Sequence, residues 1–118
     1  MKPLRLAVLV SGGGSNLQAI IDATESLYLT SKISCVISNK KDAYGLERAR
    51  KHGIEAIYIN PKEEAYDHRL LTLLQEKQID LVVLAGYLKI IDPAMIKAFP
   101  GKIINIHPSL LPKYGGQG

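Results

Sequence analysis

Two hydrophobic periods alternate along this chain, and that alternation limits its fold more than any other feature. Short apolar runs rich in strand formers occupy residues 4–10, 33–38, 54–59, 80–85 and 102–106. Between them the apolar residues recur at helical spacing. From Ser15, a stripe runs through Leu17, Ile20, Ile21 and Thr24. Residues 43–52 read as a helix closed by Gly53, a residue suited to the left-handed C-cap. Residues 62–77 carry Leu70, Leu73 and Leu74 on one stripe, and Asp92-Pro93 supplies an N-cap and a first-turn proline for a short helix reaching Ala98. Apolar strands separated by helices predict a parallel sheet covered on both faces. Such sheets bind ligands at the carboxyl ends of their strands, which directs attention to the turns at 11–15, 39–42, 60–63, 86–91 and 107–118.

At 118 residues the chain is one domain. Its apolar fraction of 47% excludes a disordered polymer. No apolar run approaches the roughly 18 residues of a membrane span, and the first residues lack a signal-peptide pattern. Cys35 is the only cysteine and no Cys/His pattern has zinc spacing, so a reducing, cytoplasmic setting without a bound metal is expected. The net charge of +4 is spread out, and no basic block is interleaved with aromatics, so neither nucleic acid nor membrane is expected as a partner. The last residues, from His107 to Gly118, read as a loop whose Leu110 and Leu111 have nothing after them to pack against. The sequence looks cut there, and an unfinished sheet edge favours self-association.

Ser11-Gly-Gly-Gly-Ser-Asn-Leu17 lies between a strand and a helix. Glycines let a ligand approach the backbone, and a helix start offers unpaired N–H groups to a phosphate. The alternative is a tight turn and nothing more. The dinucleotide pattern fails because its third glycine position is Leu17, and the second strand ends at Asn39 rather than at an acid. The P-loop pattern fails for want of a Gly-Lys-Ser/Thr. Asn105 and His107 share one face at the end of the last strand, with Ile103, Ile104 and Ile106 as anchors. Together they can hold an oxyanion, and the histidine can move a proton; an ordinary packed histidine is the competing reading. Gly86-Tyr-Leu-Lys-Ile-Ile91 can line a slot for a flat ligand, but the pattern alone favours core packing. Ser109 lacks a nucleophile elbow and an acid to orient His107. His52, His68 and Lys40-Lys41 read as solvated, and Cys35 as packing.

Taken in order, Val10-Ser-Gly-Gly-Gly-Ser-Asn-Leu-Gln-Ala-Ile20, Ser38-Asn-Lys, Ala43-Tyr-Gly-Leu-Glu-Arg-Ala-Arg50, Val83-Leu-Ala-Gly-Tyr87 and Asn105-Ile-His-Pro-Ser-Leu-Leu-Pro-Lys-Tyr114 resemble the glycinamide ribonucleotide formyltransferases of purine synthesis. The resemblance implies a three-layer, Rossmann-like α/β fold with a mainly parallel sheet, here ending after the fifth strand. Residues 1–118 would be its N-terminal phosphate-binding domain. It implies formyl transfer from 10-formyltetrahydrofolate to the amine of glycinamide ribonucleotide. Gly13, Gly14, Ser15, Asn16 and Leu17 would hold the substrate phosphate. Leu88, Lys89, Ile90, Ile91 and Asn105 would hold the folate, and Asn105 and His107 would be catalytic. A basic residue that contacts folate in the family falls at Glu63 here, with Lys62 beside it. Family members run on by roughly half as much again and supply an aspartate that raises the histidine pKa. No carboxylate follows Asp92 here, so His107 would keep a pKa of about 6.5 and be mostly neutral at pH 7. The expectation is a fragment with weak or no activity alone. The alternatives are a non-catalytic phosphate-binding module and formyl transfer to another amine, such as that of methionyl-tRNA.

Overall fold

The computed structural model describes residues 3–13, 15–25 and 31–106. The elements run β1 (Leu4–Val10), α1 (Ser15–Glu25), β2 (Ser31–Ser38), α2 (Tyr44–Lys51), β3 (Glu55–Tyr58), α3 (Tyr66–Glu76), β4 (Leu81–Ala85), α4 (Pro93–Ala98) and β5 (Ile103–Ile106). The five strands form one sheet in the order β3-β2-β1-β4-β5, and every neighbouring pair is parallel. The chain builds outward from β1 to β3, then crosses back to place β4 on the other side of β1. The β1/β4 junction is therefore the topological switch point, where sheets of this class open a crevice.

Side-chain alternation along β1 divides the core. Leu6, Val8 and Val10 join Leu17, Ile21, Leu46 and Ala49 of α1 and α2 on one face. Ala7 and Leu9 join Tyr66, Leu70 and Leu74 of α3 and Met95 and Phe99 beside α4 on the other. From Leu6 to Val10 central β1 is buried on both faces, which is why those residues read as an uninterrupted apolar run. No described helix is long and apolar enough to cross a membrane.

Several boundaries move for identifiable reasons. β2 starts earlier than its apolar run, because Ser31 and Lys32 pair with Leu4 and Arg5. α3 starts at Tyr66 rather than at residue 62. Asn60 accepts the Lys62 N–H on Oδ1 at 3.0 Å and the Glu63 N–H on its carbonyl at 3.1 Å, a turn that delays the helix. Asp80 is a clamp rather than a strand residue: its Oδ2 accepts the Arg5 N–H at 2.9 Å, while Arg5 Nε donates to the Lys77 carbonyl at 3.0 Å. Gly53 follows α2 with φ 70°, and Asp92 accepts the Ala94 N–H on Oδ2 at 3.0 Å, both as the sequence predicts. Ile104 does not anchor β5 as expected. It is 45% exposed, because β5 is an edge strand whose Ile104 face has no described helix packed against it.

Candidate functional site

Parallel strands β1, β4 and β5 bring three of the sequence candidates to one edge. Leu9, Leu84 and Asn105 lie in one row across the sheet, so the glycine turn after β1, the 86–91 loop after β4 and Asn105 on β5 are consecutive along the carboxyl edge. His107 and Gly14 lie outside the described residues, as do Ser109 and the tail. Asn105 is exposed and on the sheet face of Ile103.

The glycine turn is held from outside. The Gly12 carbonyl accepts the Gly45 N–H of α2 at 3.1 Å. Arg48 Nε donates to the Gly13 carbonyl at 2.7 Å, and Arg48 Nη1 donates to Gln18 Oε1 of α1 at 3.0 Å. The described peptides are all trans, so Gly13 presents its N–H on the side opposite the Gly12 carbonyl, away from α2. α1 begins at Ser15, directly after this turn, and the first N–H groups of an α-helix have no partner within it. Leu17 can contribute only its backbone, since its side chain is wholly in the core. Asn16 is a buried polar side chain beside it.

The glycines themselves differ. A Cβ at Gly45 would lie 2.9 Å from Val10 Cγ2 and 3.3 Å from the Gly12 carbonyl, so α2 can approach the turn only without one. A Cβ at Gly12 or Gly13 meets nothing within 4 Å, and neither has a positive φ. Nothing in the described chain requires glycine at those two positions. They leave open space beside the turn.

The 86–91 loop is divided between core packing and exposed apolar surface. Gly86 turns the chain out of β4 with φ 73°, and Leu88 and Ile90 are 78% and 90% exposed. Their neighbours point inward. Tyr87 pairs its hydroxyl with that of Tyr66, Lys89 places its ammonium 4.7 Å from the centre of the Tyr66 ring, and Ile91 packs on the core. Burial pushes the Tyr66 and Tyr87 phenols up, so both remain protonated and can share one hydrogen bond. Loop and helix are thereby pinned, with two apolar side chains offered outward.

One residue ties the glycine turn to the 86–91 loop. Ser11 is 3% exposed. Its hydroxyl donates to Asn39 Oδ1 at 2.7 Å and accepts the Leu88 N–H at 2.8 Å. Asn39, standing where dinucleotide-binding sheets carry their ribose acid, is thus already engaged. Ser11, Arg48 and Tyr66 were not legible as site residues, because each acts through a partner distant in sequence. Only the spacing of Tyr44, Arg48 and Lys51 along one helix face hinted at α2: both cations lie over the Tyr44 ring, at 4.8 and 5.2 Å.

The remaining candidates lie elsewhere. Glu63 is bound by Arg69 Nη1 at 3.0 and 3.2 Å, and Lys62 is exposed. His52 and His68 are exposed, as are Lys40 and Lys41, and Cys35 is buried in β2. A cleft of about 330 Å³ lined by Ile57, His68 and Leu73 contains none of the site residues. A second, of about 280 Å³, adjoins the loop through Ile91.

Residues 4–118 match the family model described as Formyl transferase. The phosphoribosylglycinamide formyltransferase of Haemophilus influenzae is 51% identical over 116 residues, covering 95% of this chain and 55% of that protein. The Escherichia coli enzyme of the same name is 46% identical, covering 96% of this chain and 55% of its own length. The crystal structure of glycinamide ribonucleotide transformylase 1 from Symbiobacterium toebii superposes with a TM-score of 0.86 at 44% identity, over 96% of this chain and 55% of that one. The chain thus spans about half the length of these relatives.

Proposed function

The chain belongs to the formyl transferase family, and from that premise we propose that it serves formyl transfer from 10-formyltetrahydrofolate to the amine of glycinamide ribonucleotide, as the N-terminal, phosphate-binding part of the catalytic unit. The observation that carries this reading is the open space over Gly12 and Gly13 beside the start of α1, on the same strand edge as the 86–91 loop. Gly13, Gly14, Ser15, Asn16 and Leu17 take the phosphate through backbone N–H groups. Leu88 and Ile90 give apolar surface to a flat ring, while Lys89 and Ile91 hold the loop in place. The names of the relatives support the substrate pair. A cytoplasmic setting is supported by the single, buried, unpaired cysteine.

In this reading the substrate amine attacks the formyl carbon, a C–N bond forms, and the carbonyl oxygen becomes an oxyanion, whose collapse breaks the bond between that carbon and the folate nitrogen. Asn105 and His107 stabilise that charge, and His107 relays the proton that leaves the amine to the departing folate nitrogen. Removing one such donor typically lowers turnover by about 100- to 1,000-fold.

The test is a formyl-transfer assay on the protein carrying this chain, with Asn105→Ala and His107→Ala alongside. Transfer lost in both variants supports the reading. Binding of a phosphorylated ligand without transfer in any of them supports a phosphate-binding module instead.

A further inference from the structure

The switch point of the sheet is closed by one hydroxyl. Ser11 leaves the end of β1 directly before the glycine turn and is 3% exposed. Its single proton goes to Asn39 Oδ1 after β2 at 2.7 Å, and its lone pair takes the Leu88 N–H after β4 at 2.8 Å. Three strand ends therefore meet on one atom. The Leu88 N–H belongs to the loop that carries the two most exposed large apolar side chains among the described residues, Leu88 and Ile90. On either side of Leu88 the loop is also held by Tyr87 and Lys89 against Tyr66. The glycine turn is likewise pinned on its far side by Gly45 and Arg48. Ser11 is then the direct hydrogen-bonded link between two loops that are each fixed elsewhere. A displacement of Leu88 must be transmitted to Ser11 or break the bond, and a broken bond leaves the buried Ser11 hydroxyl without that donor.

We propose that Ser11 is a positioning residue that couples the two subsites: its hydroxyl holds the 86–91 loop in register with the glycine turn, so that filling either subsite changes the affinity of the other. This rests on the functional reading above. Linkage makes the effect reciprocal, with each ligand changing the other's dissociation constant by the same factor. A single hydrogen bond of this kind sets that factor at about three- to tenfold.

The experiment uses the protein carrying this chain, with ribose 5-phosphate as the anionic probe and 5-formyltetrahydrofolate as the non-transferring folate probe. Titration calorimetry measures each probe alone and in the presence of the other. In the unmodified protein the two dissociation constants should shift together by about three- to tenfold. In Ser11→Ala each probe should still bind alone, and the mutual factor should fall to one. Ser11→Cys, which keeps the shape with a weaker donor and acceptor, should fall between. Amide hydrogen exchange on the ligand-free variants supplies a readout that needs no probe. Leu88 should lose protection in Ser11→Ala while the β1 and β4 amides keep theirs, which also shows that the fold is intact. A mutual factor unchanged in Ser11→Ala, or a Leu88 amide equally protected without the hydroxyl, overturns the proposal. If both probes bind the unmodified protein independently, the coupling is wrong and the functional reading stands. If neither binds, the functional reading falls and takes the coupling with it.

Discussion

Arg48 donates through Nε to the carbonyl of Gly13 at 2.7 Å, and this bond decides which way the glycine turn faces. A free carbonyl in a glycine-rich turn can rotate toward a bound anion and repel it. With both the Gly12 and Gly13 carbonyls taken by α2, an anion bound as proposed would meet N–H groups. The guanidinium also reaches Gln18 at 3.0 Å, so it fixes the turn relative to α1. Replacing Arg48 by Met should weaken ribose 5-phosphate binding about tenfold, the order expected for losing a charge-assisted bond. Arg48→Lys should recover only part of it, since an ammonium lacks the planar fork that serves both partners. Calorimetric titration checks this; equal affinity in all three proteins would show that the turn holds its own orientation.

Gly13→Ala separates a turn glycine from a ligand glycine. The added Cβ enters open space and the backbone needs no positive φ, so stability to urea should change by no more than about 0.5 kcal/mol. The same methyl stands where an anion would approach, and affinity for ribose 5-phosphate should drop at least about tenfold, as for loss of a good backbone contact. A variant destabilised by several times that amount would return the glycines to a purely structural role.

Gly45→Ala should behave in the opposite way. Helix propensity favours alanine by under about 1 kcal/mol. Against that, the new Cβ lies 2.9 Å from Val10 Cγ2, and Val10 is fully buried with nowhere to move. Overpacking of this kind costs about 1–3 kcal/mol, so the urea midpoint should fall. A midpoint at or above that of the parent would mean that α2 can shift away from the turn without penalty.

Local signals were legible in the sequence, and long-range ones were not. Asp92 and Pro93 announce α4 because a cap and a first-turn proline act within a few residues. The β1 to β5 alternation fixes a parallel sheet because burial on both faces writes itself into an apolar run. The glycine turn was visible for the same reason. The 86–91 loop was visible as a candidate slot, but its pattern favoured core packing, since Leu88 and Ile90 carry residue types that usually mean core; their exposure is set beside long-range contacts of Tyr87 and Lys89 with Tyr66. Ser11 and Leu88 are separated by 77 positions, a distance over which no periodicity carries information.

Ser34 offers a stabilising change. The β1/β2 register slips there, with Leu6 opposite Ile33 and Ala7 opposite Cys35, leaving Ser34 unpaired in the ladder. Its Oγ is buried and has no hydrogen-bond partner among the described residues. Bulges tolerate such residues, but a buried hydroxyl without a partner is destabilising by about 1–3 kcal/mol relative to its apolar counterpart. Ser34→Ala should therefore raise the urea midpoint, with no effect on either ligand probe. A lower midpoint would show that the hydroxyl is satisfied in solution, by water at the bulge.

The alkaline limit of stability follows from groups on the α3/α4 side of the sheet. Burial pushes the Cys35 thiol up from 9.0 to about 11, with Lys77 and Arg5 opposing this slightly and Glu55 adding to it. Burial also raises Tyr66 and Tyr87. In each case the folded state holds a proton that the unfolded chain releases. Above the unfolded pKa the unfolded chain binds fewer protons, so stability falls as pH rises. The Cys35 contribution is complete below pH 9 and is lost between pH 9 and about 11; the tyrosines add to the loss above about pH 10. The urea midpoint, measured with reductant present, should decline across this window. Lys77, held by Glu55, declines in the same direction, so the midpoint alone does not single out the thiol. Cys35→Ala does: whatever its absolute stability, its slope between pH 9 and 11 should be shallower than that of the parent. Parallel slopes would mean that the thiol titrates in the folded protein as it does in the unfolded chain.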